Sequence, residues 1–269
     1  MINVTKTYLP PYEEYEAYLK GIWERNQLTN NGPLVRELEQ KIKDYLGVKH
    51  CLFVSNGTIA IQLALKVLGV TKEVITTPFS YCATSHSVVW EGCTPVFADI
   101  LRSDLCIDPQ KVEAAITENT QAILATHVYG NPCDVYELQK IADKHNIKLI
   151  YDAAHAFGAS VDDKSLLSFG DISTCSFHAT KVFHTVEGGA VITNNDEYAW
   201  LLDRYRSFGH IGDDYLTIGI NGKNSEFHAA MGLVNLPKVP EIIAARKAIF
   251  DIYDQELNWE KLGRPELSL

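Results

Sequence analysis

The sequence contains neither G-x-x-x-x-G-K-[ST] nor G-x-G-x-x-G. Both glycine-rich loops that hold nucleotide phosphates by backbone amides therefore lack support. None of its six cysteines (Cys51, Cys82, Cys93, Cys106, Cys133, Cys175) pairs with another at C-x-x-C spacing, so neither a zinc site nor a dithiol redox motif is expected. Most of them lie in apolar stretches, where a free thiol behaves as a small buried hydrophobe. No run approaches the roughly 18–20 apolar residues of a spanning helix. The start MINVTKTYLPPYEEYEAYLK lacks the apolar core of a secretory signal, so no membrane partner and a cytoplasmic location are expected. Positive charge is in deficit: 24 Lys and Arg against 34 Asp and Glu give −10, which argues against nucleic acid or an anionic lipid surface. A small anionic ligand stays open, because a local site can be positive on an acidic protein. At 269 residues, 46% hydrophobic and 22% charged, the chain can bury one large α/β domain, or one domain and part of another.

Short apolar, β-rich runs recur from residue 51 to 194: CLFVS, EVITTP, PVFADI, QAILATHVY, KLIYDAA, ISTCSF and GGAVIT. Segments with helical periodicity separate most of them. The spacing of Ile59 and Leu63 predicts a helix over 58–68. Another opens after Asp108 with Pro109 in its first turn, and a third opens at Asp134 as N-cap. Alternating strands and helices imply a mostly parallel sheet flanked by helices. Before it, LTNNGPLV reads as a turn leading into a helical run from Val35 to Tyr45. After it, residues 224–257 read as helix broken by Pro237 and Pro240.

Open α/β sheets take ligands beyond the carboxyl ends of their strands. Three polar clusters fall at expected strand ends: Ser55–Thr58, Asp152–His155 and Ser176–Lys181. Ser55-Asn56-Gly57-Thr58 follows a strand and opens a helix, so its amides can cradle a phosphate, or it can be a plain capped turn. Asp152 can cap the next element or face a ligand, and His155 can be structural. Lys181 lies between a β-rich run and Glu187-Gly188-Gly189 in a segment of low charge. Partial desolvation there lowers an amine's pKa and favours the form that attacks a carbonyl. Ser176 can add a hydroxyl to a phosphate site.

Taken in order, SNGT, TTPFSYCAT, PVFADI, YDAAHAFG, SFHATK, EGGA and GINGKNSEFHAAMGL resemble the DegT/StrS-type family of nucleotide-sugar aminotransferases, from about residue 8 to residue 255. Within it, LPPYEEYEAYL, LTNNGPLV and YDAAHAFG look most like the viosamine-type branch, the dTDP-4-amino-4,6-dideoxyglucose transaminases. The resemblance implies an aspartate-aminotransferase-like (fold type I) transferase dependent on pyridoxal 5'-phosphate (PLP). It implies that Lys181 holds the cofactor as a Schiff base and Asp152 pairs with its pyridine nitrogen. Gly57, Thr58 and Ser176 would form the phosphate cup, Tyr81 would stack on the ring, and His155 would contact the cofactor. Asn221 would reach the phosphate of a partner subunit, making a homodimer part of the site; no metal is implied. Lys223 stands where many members have Arg, exchanging a bidentate fork for a point charge.

The implied organisation is an N-terminal arm at 1–30, a PLP-binding α/β domain at 31–235 and the start of a C-terminal small domain at 236–269. Relatives are expected to continue for roughly another hundred residues, so the C-terminal small domain is expected to be largely absent. The implied reaction is amination of a nucleotide-linked 4-keto-6-deoxy sugar, dTDP-4-keto-6-deoxyglucose first, with L-glutamate as donor, for a bacterial surface polysaccharide such as O-antigen. Two alternatives are a 3-keto sugar aminotransferase of the same family and a truncated PLP-binding protein without turnover. A related dehydratase branch carries His at the lysine position, which Lys181 argues against; a dinucleotide-dependent oxidoreductase lacks its glycine fingerprint here.

Overall fold

A computed structural model describes residues 6–263; the outermost parts of the expected arm and of the expected C-terminal unit lie outside the described residues. In chain order the elements begin with helices α1 (Tyr12–Arg25) and α2 (Pro33–Leu46). The α/β region follows: β1 (His50–Val54), α3 (Gly57–Val67), β2 (Glu73–Thr76), α4 (Cys82–Trp90), β3 (Thr94–Phe97), α5 (Pro109–Ala114), β4 (Thr120–Thr126), α6 (Val135–His145) and β5 (Lys148–Asp152). After a small ladder of β6 (Ser160–Val161) with β7 (Lys164–Ser165) come β8 (Ile172–Ser176), β9 (Gly189–Thr193) and α7 (Asp196–Tyr205). A second ladder, β10 (His210–Ile211) with β11 (Asp214–Tyr215), precedes α8 (Glu226–Asn235), α9 (Val239–Glu256) and α10 (Trp259–Leu262).

Seven strands form one sheet in the order β1-β9-β8-β5-β4-β2-β3. Pairs from β8 through β3 are parallel, whereas β9 runs antiparallel to both neighbours. Side chains alternate between faces along each strand. Leu149 and Tyr151 of β5, with Ile123 and Ala125 of β4, enter one core; Ile150, Ala122 and Leu124 enter the other. Burial on both faces is why these strands read as continuous apolar runs rather than alternating ones.

The expected helix signals hold. Asp108 and Asp134 accept N–H bonds from Gln110 and Glu137 at 2.8 and 2.9 Å. Five of the six cysteines are buried thiols, Cys82 being exposed. The 224–257 segment breaks at a 3-10 turn, Leu236–Lys238, around Pro237, and Pro240 sits in the first turn of α9.

α2 shows how the N-terminal helices are tied to this frame. Leu34, Leu38 and Ile42 repeat at i, i+4 and are buried in the first core; truncating one such leucine costs about 2–5 kcal/mol. The helix starts against α8, where the fully buried Glu226 accepts N–H bonds from Leu34 and Val35, both at 3.0 Å. A Cβ on Gly32 would lie 2.5 Å from the Glu226 carboxyl carbon, so the residue before Pro33 must be glycine for this cap to close.

Candidate active site

β1, β5 and β8 run in one direction, and their carboxyl ends meet beside the start of α3. A cavity of about 730 Å³ opens there. Of the residues singled out by sequence, Gly57, Thr58, Tyr81, Asp152, His155, Ser176 and Lys181 all line it. Asn221 does not; it is exposed, accepts a bond from Lys223 Nζ at 2.9 Å, and bridges Ser207 through its backbone.

The α3 start reconciles the two readings of Ser55–Thr58. Asn56 caps the helix by accepting the Ile59 N–H at 2.8 Å. Gly57 and Thr58 are then the first two helical residues, whose N–H groups have no acceptor within a helix. A Cβ on Gly57 would come within 2.9 Å of Ser176 Cβ, so glycine brings the helix start directly against the β8 end. Amides at the positive end of a helix dipole and two nearby hydroxyls suit a phosphate.

Asp152 ends β5 and is 7% exposed. Its Oδ1 accepts the Ala154 N–H at 3.1 Å and its Oδ2 accepts the Thr84 hydroxyl at 2.7 Å. Each oxygen has a second lone pair, enough to receive an N–H from a ring in the cavity. His155 accepts the Tyr129 N–H through Nδ1 at 3.3 Å. That bond requires an unprotonated Nδ1 and places the proton of the neutral ring on Nε2. Burial first, then the neighbouring Lys181 charge, pushes its pKa down against the opposing pull of Asp152.

Lys181 is half-buried in the turn after β8, its N–H donating to His178 O at 2.9 Å. Burial lowers the ammonium pKa, and the nearby Asp152 and Cys175 only partly oppose this. A larger fraction is therefore free amine at neutral pH than for a solvated lysine. An amine of lowered pKa, a buried carboxylate and a helix-start anion site around one cavity fit the aldehyde, pyridine nitrogen and phosphate of PLP.

Two cavity residues, Tyr129 and Thr126, and one residue behind the cavity wall, Thr84, were not anticipated. Thr84 is fully buried beneath Asp152. Tyr129 sits at φ 57°, its ring parallel to His155 within 4° at a centroid distance of 6.3 Å. Thr126 lines the cavity with a buried hydroxyl that has no hydrogen-bond partner. Among the described residues no group of three His, Cys, Asp or Glu side chains could hold a metal, and no helix is long and apolar enough to cross a membrane.

A mostly parallel sheet whose carboxyl edge presents a lysine, an aspartate and a helix start defines the class: an aspartate-aminotransferase-like, fold type I transferase. The chain belongs to the DegT/DnrJ/EryC1/StrS aminotransferase family, matched over residues 12–263. It is 49% identical over 257 residues to a dTDP-4-amino-4,6-dideoxy-D-glucose transaminase of Shigella dysenteriae, covering 95% of this chain and 70% of that one. A transaminase of the same description from Escherichia coli is 46% identical over 256 residues, covering 94% and 68%. Among solved structures, DesI in the presence of its TDP-sugar product superposes with a TM-score of 0.86 at 38% identity. That match covers 89% of this chain, which spans 62% of the DesI chain. The PLP form of Spr1654 from Streptococcus pneumoniae, described as a putative sugar aminotransferase, gives 0.87 at 27% identity, covering 94% and 71%.

Proposed function

We propose that this protein is a PLP-dependent transaminase that converts dTDP-4-keto-6-deoxyglucose to the 4-amino sugar with L-glutamate as donor. The observation that carries the cofactor reading is the meeting of Lys181, Asp152 and the Gly57–Ser176 contact around one cavity. The substrate reading is supported by the two transaminases of 49% and 46% identity.

PLP, when bound, supplies a carbonyl to receive an amino group and a conjugated ring that draws electrons from the carbon losing a proton. Lys181 Nζ is the group that holds the cofactor covalently between turnovers. With PLP bound, its amine would remove and return the proton at the reacting carbon, a task suited to its lowered pKa. Asp152 would accept the ring N–H of bound PLP and favour its charged form. The amides of Gly57 and Thr58, with the Thr58 and Ser176 hydroxyls, hold the phosphate. His155 offers Nε2–H and Tyr81 an aromatic face to the same ligand.

Asn221 acts on the phosphate held by a second copy of this chain. Its absence from its own cavity lining supports that reading, as do the exposed Ile211, Tyr215, Leu216 and Ile218 in and beside the β10–β11 ladder. Among the described residues, those of 31–235 form the cofactor domain, those before 31 belong to an arm, and those from 236 belong to a smaller domain. The enzyme works in the cytoplasm.

The test is incubation of the PLP-loaded protein with dTDP-4-keto-6-deoxyglucose and L-glutamate, followed by NMR of the sugar. The expected result is 2-oxoglutarate and a new amine on C4. An amine on C3 would replace the substrate assignment, and PLP bound without any turnover would leave a binding protein.

A further inference from the structure

We propose that Thr84 is a positioning residue for the cofactor ring, locking the Asp152 carboxylate to the helix that presents Tyr81. The inference rests on the reading that this cavity takes PLP.

The geometry is specific to two elements that are not neighbours in the chain. Thr84 lies on α4, fully buried, and its hydroxyl donates to Asp152 Oδ2 at 2.7 Å across a separation of 68 residues. Its N–H donates to Tyr81 O at 3.1 Å, closing the first turn behind the aromatic residue. A carboxylate turns readily about χ2, which is broad and roughly two-fold. The Ala154 N–H holds Oδ1 alone, and one tether leaves the carboxylate plane free to swing. The Thr84 hydroxyl is the second tether and fixes the plane, so the spare lone pairs keep one direction.

A threonine in a helix has two main χ1 choices, and here the hydroxyl takes the one that meets Asp152. The same residue therefore couples two groups assigned to the ring, Asp152 and Tyr81. Tyr81 is 75% exposed at the start of this helix. The hydroxyl makes no contact that its own helix needs: the Tyr81 carbonyl is already taken by the Thr84 N–H.

The test measures equilibrium PLP binding to apo-protein by absorbance titration, for wild type, Thr84→Val, Thr84→Ser and Thr84→Ala, each also in an Asp152→Ala background. Thr84→Val keeps the shape and removes the hydroxyl. A bond to a charged acceptor predicts a loss of affinity of about tenfold or more, with Thr84→Ser within about threefold of wild type because the donor is kept. Thr84→Ala carries the same comparison if the valine variant does not fold. In the Asp152→Ala background the hydroxyl has nothing to hold, and its removal should change affinity by less than about twofold. Unchanged PLP affinity in Thr84→Val, or an equal loss with and without Asp152, overturns the inference while the cofactor reading stands. A wild-type protein that takes up no PLP overturns the cofactor reading and this inference with it.

Discussion

Two concave regions of this molecule hold buried charge and are wired in opposite ways. In the cleft between α2 and α7, Arg206 is 4% exposed and its donors are consumed by the chain itself. It bonds Glu39, donates to Asp203 Oδ1 through Nε and Nη2 at 3.2 and 2.8 Å, and reaches Phe53 O at 3.0 Å. Burial alone would lower its pKa, but Glu39 and Asp203 hold it up. At the sheet's carboxyl edge, each Asp152 oxygen has one partner and a lone pair to spare, the Thr126 hydroxyl is unmet, and burial lowers the Lys181 pKa. The first region spends its polar capacity on the frame, and the second keeps capacity for a ligand. A closed network is expected to matter for stability and an open one for chemistry.

The widest separation should come from Lys181→Ala. Turnover in the glutamate half-reaction should fall by about 10³-fold or more, while unfolding free energy in urea changes by less than about 1 kcal/mol. A variant that keeps turnover would erase the distinction. Arg206→Met is the mirror experiment: leaving Glu39 and Asp203 without their partner should cost about 3–5 kcal/mol in urea unfolding. PLP affinity measured well below the transition should stay near wild type. A stable Arg206→Met protein would show that the cleft network is ornamental. Thr58→Ala sharpens the contrast at smaller scale. Loss of one hydroxyl to an anion predicts about a tenfold weaker PLP dissociation constant, with little effect on urea unfolding of the apo-protein.

A pH-dependent effect separates burial from ligand capacity. His127 is fully buried, stacked 4.6 Å from the Tyr151 ring, and burial pushes its pKa down to about 3. The folded state thus keeps it neutral while the unfolded chain protonates it near its ordinary value of 6.5. Its stabilisation is present above the unfolded pKa and is lost as pH falls from about 6.5 toward 3, at up to about 1.4 kcal/mol per pH unit. His127→Phe should flatten the acid limb of stability by one proton; an unchanged slope in urea titrations would contradict the burial argument.

Much of the sheet was legible because buried strands leave unbroken apolar runs and helices announce themselves through caps such as Asp108 and Asp134. The orientation of β9 was not, since GGAVIT reads the same in either direction. Lys181, Asp152 and the α3 start could be singled out because each lies at or just past the end of a strand, where ligands of open sheets gather. Thr84 could not, because a threonine inside a helix carries no mark of the carboxylate it meets. The Glu226 cap on α2 and the Arg206–Glu39 pair join residues 192 and 167 positions apart, and periodicity holds no information on such meetings. Tyr129 was missed because nothing in VYG signals a left-handed tyrosine beside a histidine.

Whether Lys181 holds PLP in the open cavity can be read by loading the protein with PLP, reducing it with borohydride and mapping the modified peptide by mass spectrometry. A single phosphopyridoxyl mark on Lys181 is expected. A mark on another lysine with Lys181 unmodified, or no mark at all on PLP-saturated protein, would contradict it.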